Sequence, residues 1–474
     1  MKKTISIIMS LALVLALTAG CGSISGGVSD ADAGRDGSGT GDSGRTGDSG
    51  GSGSADLSKD SASPAGSPMP SAAPAAPGEY APSGGYEGES YLMVEDALGG
   101  ALELAPAAEP AERTSSGEPT ESEPTWDDTP EQIENIYIRP GMLTAGEWND
   151  NKYHDFISNL AQTHDDFRTF ENMWQFNLQN QIKVTITDNG DPVNNAVVEL
   201  LDARMNAFYV ARTNNQGVAY LFINLRHMGQ NAAAYIRATK GSIATVEFDP
   251  ATRGYELSIS DEYAPKSLDL MFVIDTTGSM SDELEFLKVE LEDIVHRVSA
   301  DNANMRIRLS TNVYRDTYDD YIVRSTPFET NIGNQIEFLR KQRADGGGDW
   351  EEAVEVALAD ALENHDWNDD ATAKLLFLVL DAPPHNTAAI RDEMHRLAAL
   401  ASEMGVRIIP IASSGIDKVT EFLLRALSMS TGGTYVFLTE HSGIGDAKIA
   451  PTIGFYEVEL LNDLIVRVIN NYLD

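Results

Sequence analysis

Between residues 266 and 440, apolar positions alternate between two rhythms, and each rhythm predicts an element. The run 270–274 is continuously apolar, the length of a strand buried on both faces of a parallel sheet, and it stops at Asp275. Residues 283–299 then place Leu284, Leu287, Leu291, Ile294, Val295 and Val298 on one helical face. A strand follows at 306–314, with an antiparallel edge partner at 321–328, where Pro327 suits an edge. Helices are predicted at 332–342 and 350–363, the latter with Ala353, Val354, Ala357, Leu358 and Ala361 facing inward. Strand 374–380 ends at Asp381, and helix 387–404, strand 406–411, helix 417–430 and strand 434–438 complete the series. Regular alternation of this kind predicts an α/β, doubly wound, mainly parallel sheet wrapped by helices. Beyond it, the extension 441–474 carries an amphipathic stretch through Val458, Leu461, Leu464, Ile465, Val468 and Ile469, which predicts a helix docked on the folded part.

A period of two marks residues 181–262. Ile182, Val184 and Ile186 alternate with polar residues, then Asp188-Asn189-Gly190-Asp191-Pro192 supplies dense turn chemistry. Further short alternating runs at 196–202, 207–213, 218–222, 233–239, 242–249 and 254–260 make seven strands, the count of a small antiparallel β-sandwich. Before it, 130–180 reads as a helical and irregular segment: a short strand at 136–138, turns over 142–151, and helical pieces at 155–160 and 165–172. From 22 to 129 the chain is Gly, Ser, Ala, Pro, Asp and Glu with little else, including Gly41-Asp42-Ser43-Gly44 and Gly47-Asp48-Ser49-Gly50. Such a linker buries too little apolar surface to offset its ordering entropy. A coil of about 100 residues spans roughly 50–60 Å root-mean-square.

Charge narrows the partners. With 34 basic against 73 acidic residues the chain carries −39, which argues against nucleic acid or an anionic membrane surface. At the N-terminus, Lys2 and Lys3 precede an apolar run at 5–17, the pattern of a secretory signal within residues 1–21. Cys21 is the sole cysteine, so no intramolecular disulfide forms. Leu17-Thr18-Ala19-Gly20-Cys21 resembles a bacterial lipobox, which implies cleavage before Cys21, acylation of its thiol and contact with the membrane only through that lipid.

Asp275, Thr277 and Ser279 sit where the first parallel strand gives way to a loop, with Gly278 between the hydroxyls to permit a sharp turn. Open α/β sheets place ligand sites at that end of the strand, and carboxylate and hydroxyl oxygens together suit a hard cation. The spacing D-x-T-x-S resembles the metal-ion-dependent adhesion site of the von Willebrand factor A family. Two later loops occur in that family's order: Gly346-Gly347-Gly348-Asp349-Trp350-Glu351-Glu352, and the strand end at Asp381 before Ala382-Pro383-Pro384-His385. The G-G-G-D and D-T-T-G-S-M runs look most like the domains of hemicentins and bacterial surface proteins. The resemblance implies a Rossmann-like fold over 266–440 and metal ligands Asp275, Thr277, Ser279, Asp349 and Asp381, with Mg²⁺ the expected ion and Ca²⁺ or Mn²⁺ as substitutes. Asp349 stands where the family has Thr; three carboxylates around a divalent ion leave one negative charge in excess, holding the ion firmly while weakening its electrophilic face. Ser279 with Asp282 also suits a helix cap, Asp316 an outer position or a surface ion pair, and His385 a group that orients Asp381. The turn pattern Asp191-Pro192-Val193-Asn194-Asn195, followed by Thr213-Asn214-Asn215-Gln216-Gly217, resembles the carboxypeptidase regulatory-like (transthyretin-like) fold, which implies a binding or structural module.

Together these features predict a lipid-anchored, extracytoplasmic protein that binds a protein ligand at the cell surface through a metal site, with no nucleotide or nucleic acid and no catalysis. A passive cell-wall module with a purely structural metal is the alternative. Phosphoryl transfer on Asp275 is a weaker one: D-T-T-G-S-M is close to D-K-T-G-T, yet no acidic G-D-G-x-x-D motif follows residue 300. A role beside intracellular ATPases conflicts with the signal sequence.

Overall fold

The computed structural model describes residues 137–226, 231–261 and 266–474. The signal segment, Cys21 and the linker 22–129 lie outside the described residues.

The first element is strand β1 (Thr144–Trp148), followed by helices α1 (His154–Thr163) and α2 (Asp165–Trp174). This corrects the reading of 142–151 as turns, and residues 137–138 form no strand. Gly146 reads locally as a turn residue, but it lies in a strand because the rings of Phe437 and Tyr456 fill the space where a side chain would go.

Next come β2 (Gln181–Asp188), β3 (Asp191–Pro192), β4 (Val197–Leu201), β5 (Ala207–Arg212), β6 (Val218–Phe222), β7 (Tyr235–Lys240), β8 (Ser242–Glu247) and β9 (Gly254–Ser258). They form two four-stranded sheets, β3-β2-β6 with β9 on the free side of β2, and β5-β4-β7-β8. One pairing departs from the antiparallel expectation. Strand β9 arrives from the other sheet after β8 and runs parallel to β2. Ile182, Val184 and Ile186 are fully buried, as their alternation requires.

The third group comprises β10 (Ser267–Asp275), helix α3 (Leu284–Asp301), β11 (Arg306–Tyr314), β12 (Val323–Arg324), α4 (Ile332–Arg340), α5 (Val354–Glu363), β13 (Ala373–Leu380), α6 (Ala388–Met404), β14 (Val406–Ala412), α7 (Lys418–Thr431), β15 (Tyr435–Leu438), β16 (Glu459–Leu460) and α8 (Leu461–Asn471). Its sheet has eight strands in the order β12-β11-β10-β13-β14-β15-β1-β16, with β11 through β15 parallel. Strands β12 and β1 run antiparallel to their neighbours. Along β10 the side chains divide by parity: Leu270, Phe272 and Ile274 join a core with α3 and α8, while Met271 and Val273 join one with α5, α6 and α7. The docked C-terminal helix is therefore part of the helix layer.

Local chemistry sets the helix ends. Thr387 accepts from Ile390 N–H at 3.2 Å and Asp417 from Thr420 N–H at 2.7 Å, capping α6 and α7. Ser279 does not cap α3, because a 3₁₀ turn at Gly278–Asp282 intervenes. Helix α5 starts at Val354 rather than at 350, since Glu352 is held extended by its N–H on Pro383 O at 2.9 Å.

Candidate metal centre

Chain direction creates the site. From β10 the chain moves to β11 on one side, and β13 then lies on the other, so the sheet order reverses beside β10. Loops leaving the carboxyl ends of β10 and β13 diverge there and open a crevice. Ile274 pairs with Val379, so Asp275 and Asp381 leave neighbouring strands at nearly the same level.

Within the first loop, Thr277 ties down one edge of Asp275. Its N–H donates to Asp275 Oδ1 at 2.8 Å and its hydroxyl donates to the same atom at 2.7 Å. Thr277 Oγ1 also lies 3.2 Å from Ser279 Oγ. Asp275 and Thr277 are fully buried, whereas Ser279 is exposed. The glycine loop closes over them: Gly278 N–H donates to Gly346 O at 3.1 Å, and Asp345 N–H donates to Thr276 O at 3.1 Å. Gly346 and Gly347 take φ of +82° and +75°, and a side chain on Gly346 would collide with the Asp319 carboxylate.

Three buried carboxylates act on one another electrostatically around this crevice. Asp275 Oδ2, Asp381 Oδ1 and Glu352 Oε2 are buried and have no hydrogen-bond partner. Burial raises the Asp275 carboxyl to about 6, against the two hydrogen bonds from Thr277. Asp381 is raised to about 7 by burial and then by the charge of Asp275. Glu352, only 2% exposed, is raised to about 9 by burial and by Asp275, Asp316, Asp381 and Asp319. Orphaned carboxylate oxygens beside two hydroxyls fit a hard divalent cation. Asp275, Thr277, Ser279, Glu352 and Asp381 would hold it.

The second loop brings Glu352 beside Asp275 and Asp381, and it places Asp349 in a separate group whose atoms could also hold a metal ion. Asp349 is exposed and groups with Asp316 and His385, whose ligand-type atoms all lie within 4.8 Å of one another. His385 Nε2 is 3.3 Å from Asp316 Oδ1, so His385 partners Asp316 and does not orient Asp381. Asp316 is buried, which corrects the surface ion pair expected of it. Glu352 escaped the sequence reading because helical periodicity assigned 350–363 to one helix, and only its position three residues after Asp349 hinted at a second carboxylate.

Residues 269–445 match the model of the von Willebrand factor A domain. Over 132 residues the chain is 34% identical to an ariadne-like RING finger protein of Acanthamoeba polyphaga mimivirus, covering 27% of this chain and 12% of that protein's length. Among solved structures, the conserved hypothetical protein BatB from Bacteroides thetaiotaomicron is 12% identical with a TM-score of 0.30, covering 43% of this chain and 98% of that one. Over residues 269–445 the chain is therefore similar to von Willebrand factor A domains.

Proposed function

We propose that the protein is a surface-anchored bacterial lipoprotein whose von Willebrand factor A domain binds a partner protein in a divalent-cation-dependent way. One observation carries this reading: three buried carboxylate oxygens without partners, beside the Thr277 and Ser279 hydroxyls, at the end of the sheet where loops open to solvent. A bound cation, Mg²⁺ first and Ca²⁺ or Mn²⁺ as substitutes, supplies the electrostatic link to an oxygen of the partner. Thr277 holds Asp275 in orientation, Ser279 marks the open side, and Glu352 and Asp381 add charge from the other two loops. Three carboxylates against two positive charges favour firm retention of the ion over strong capture of an acidic ligand.

Anchoring rests on Leu17-Thr18-Ala19-Gly20-Cys21, and reach on the linker 22–129. The two four-stranded sheets over 181–258 serve as a transthyretin-like module beside the binding domain.

Thermal unfolding of wild type and Asp275→Ala in Mg²⁺, Ca²⁺, Mn²⁺ or EDTA tests the site. A metal-dependent rise in midpoint that the variant lacks supports it, because a ligand bound only by the native state stabilises that state. No rise with any of the three ions refutes it. Metal-dependent retention of a partner from surface extracts separates a binding role from a structural metal, and labelled palmitate entering wild type but not Cys21→Ala tests the anchor.

A further inference from the structure

At the end of the strands opposite the crevice, two buried cations form no salt bridge among the described residues. Five Lys or Arg residues are buried among the described residues: Lys288, Arg315, Lys374, Arg407 and Arg425. Three have a carboxylate: Lys288 pairs with Glu285 at 2.6 Å, Arg315 with Asp345 at 3.9 Å and Arg425 with Asp150 at 2.7 Å. Lys374 and Arg407, 2% and 5% exposed, pair with none. Lys374 Nζ donates to Met404 O at 2.8 Å. Arg407 donates to Thr431 O at 2.8 Å and Arg212 O at 2.7 Å.

Both residues line one small cavity, whose opposite wall is the amide- and hydroxyl-rich edge Asn194, Asn195, Thr213 and Asn214. Like charges sharing a buried space raise each other's cost, and a chain of −39 has carboxylates in surplus to place there. The acids nearby are otherwise placed: Asp269 accepts from Arg308 Nε at 2.8 Å, and Asp369 is exposed. A third cation, Arg212, lies alongside, its Nε on Glu403 O at 2.9 Å. Burial, and next the charge of Arg212, lower the Lys374 ammonium to about 8.

We infer that this cavity binds a single chloride-sized anion between Lys374 and Arg407, at the junction of the four-stranded sheets and the von Willebrand factor A domain. Its free space, about 10 Å³, is of the order of one water-sized sphere, which favours a monoatomic halide over sulfate, phosphate or an organic carboxylate. The ion neutralises two charges that line one cavity, and it fastens the two modules where Asn194 Nδ2 already donates to Thr372 O at 2.8 Å.

The test is thermal unfolding of the full chain in sodium gluconate, replaced stepwise by sodium chloride or bromide at constant total salt. Wild type should show a saturable rise of roughly 2–4 °C with either halide. The rise should disappear in Lys374→Met, which retains the side chain's length, and should be equal in Mg²⁺ and EDTA, independent of the metal crevice. A wild-type midpoint indifferent to halide, or the same response in the variant, overturns the inference. Should Lys374→Met fail to fold, wild-type crystals soaked in bromide decide: an anomalous peak between Lys374 and Arg407 supports the site, and a water there refutes it.

Discussion

Thr277 gives both its N–H and its hydroxyl to one oxygen of Asp275, at 2.8 and 2.7 Å, leaving the other oxygen buried and unpaired. Two donors on Oδ1 fix the carboxylate plane and aim Oδ2 into the crevice. The Thr277 hydroxyl spends its proton on Asp275, so its lone pairs face Ser279 and any cation between them. Thr277→Val keeps the shape and removes this alignment. The variant should fold normally and bind Mg²⁺ about 10–100-fold more weakly by calorimetry, while Thr277→Ser stays near wild type.

Glu352 and Asp349 share a loop and should respond differently to loss of charge. Glu352 is buried against Asp275 and Asp381, so Glu352→Gln removes a repulsion that only a cation otherwise relieves. Its unfolding midpoint should rise in EDTA, and its gain from Mg²⁺ should shrink. Asp349→Asn changes an exposed carboxylate and should leave the EDTA midpoint unmoved. Equal behaviour of the two variants would return the second-loop role to Asp349.

The raised carboxyls set a pH dependence whose sign follows from linkage. Asp275, Asp381 and Glu352 titrate near 6, 7 and 9 when folded, against 3.8, 3.8 and 4.5 when unfolded. Between the two sets the native state holds more protons, so metal-free stability falls as pH rises from about 4 toward 9. A bound cation favours the ionised forms and should flatten that decline. Midpoints measured from pH 5 to 8 in EDTA should slope downward, and those in Mg²⁺ should not; parallel curves would count against a metal at these carboxylates.

Periodicity exposed the strands and helices because their burial follows a fixed repeat: 270–274 is buried on both faces, and the face of α3 contains the residues its spacing selects. Glu352 was hidden because a residue at the start of an apolar helical repeat looks helical until a distant partner, Pro383, claims its N–H. Strand β1 was hidden for a related reason. Its pairing with β15 spans nearly the whole described chain, and nothing local in Thr-Ala-Gly-Glu-Trp signals a neighbour almost 290 residues away. Hydroxyls and carboxylates on one loop are legible in sequence; which carboxylate of another loop joins them depends on tertiary contact.

That hidden strand makes the N-terminal segment a structural part of the eight-stranded sheet, and the Asp150–Arg425 pair tests it. Asp150 follows β1 and takes Arg425 Nη2 at 2.7 Å and Nε at 2.9 Å, with Trp148 Nε1 donating at 2.9 Å. Both side chains are essentially buried, at 2% and 0% exposure. Replacing Asp150 leaves Arg425 only the longer carboxylate contact with buried Glu421 at 3.6 Å, and loss of a buried partner costs up to roughly 3–5 kcal/mol. Asp150→Ala should therefore lower the denaturant midpoint of the whole von Willebrand factor A domain, although residue 150 precedes that domain by more than a hundred positions. The exposed Asp165–Arg168 pair on α2 provides the control, since Arg168→Ala removes a contact that water already screens. If Asp150→Ala unfolds α1 and α2 in a separate transition and leaves the α/β domain at its wild-type midpoint, β1 is an appendage; a single cooperative shift makes it the seventh strand of the sheet that carries the crevice.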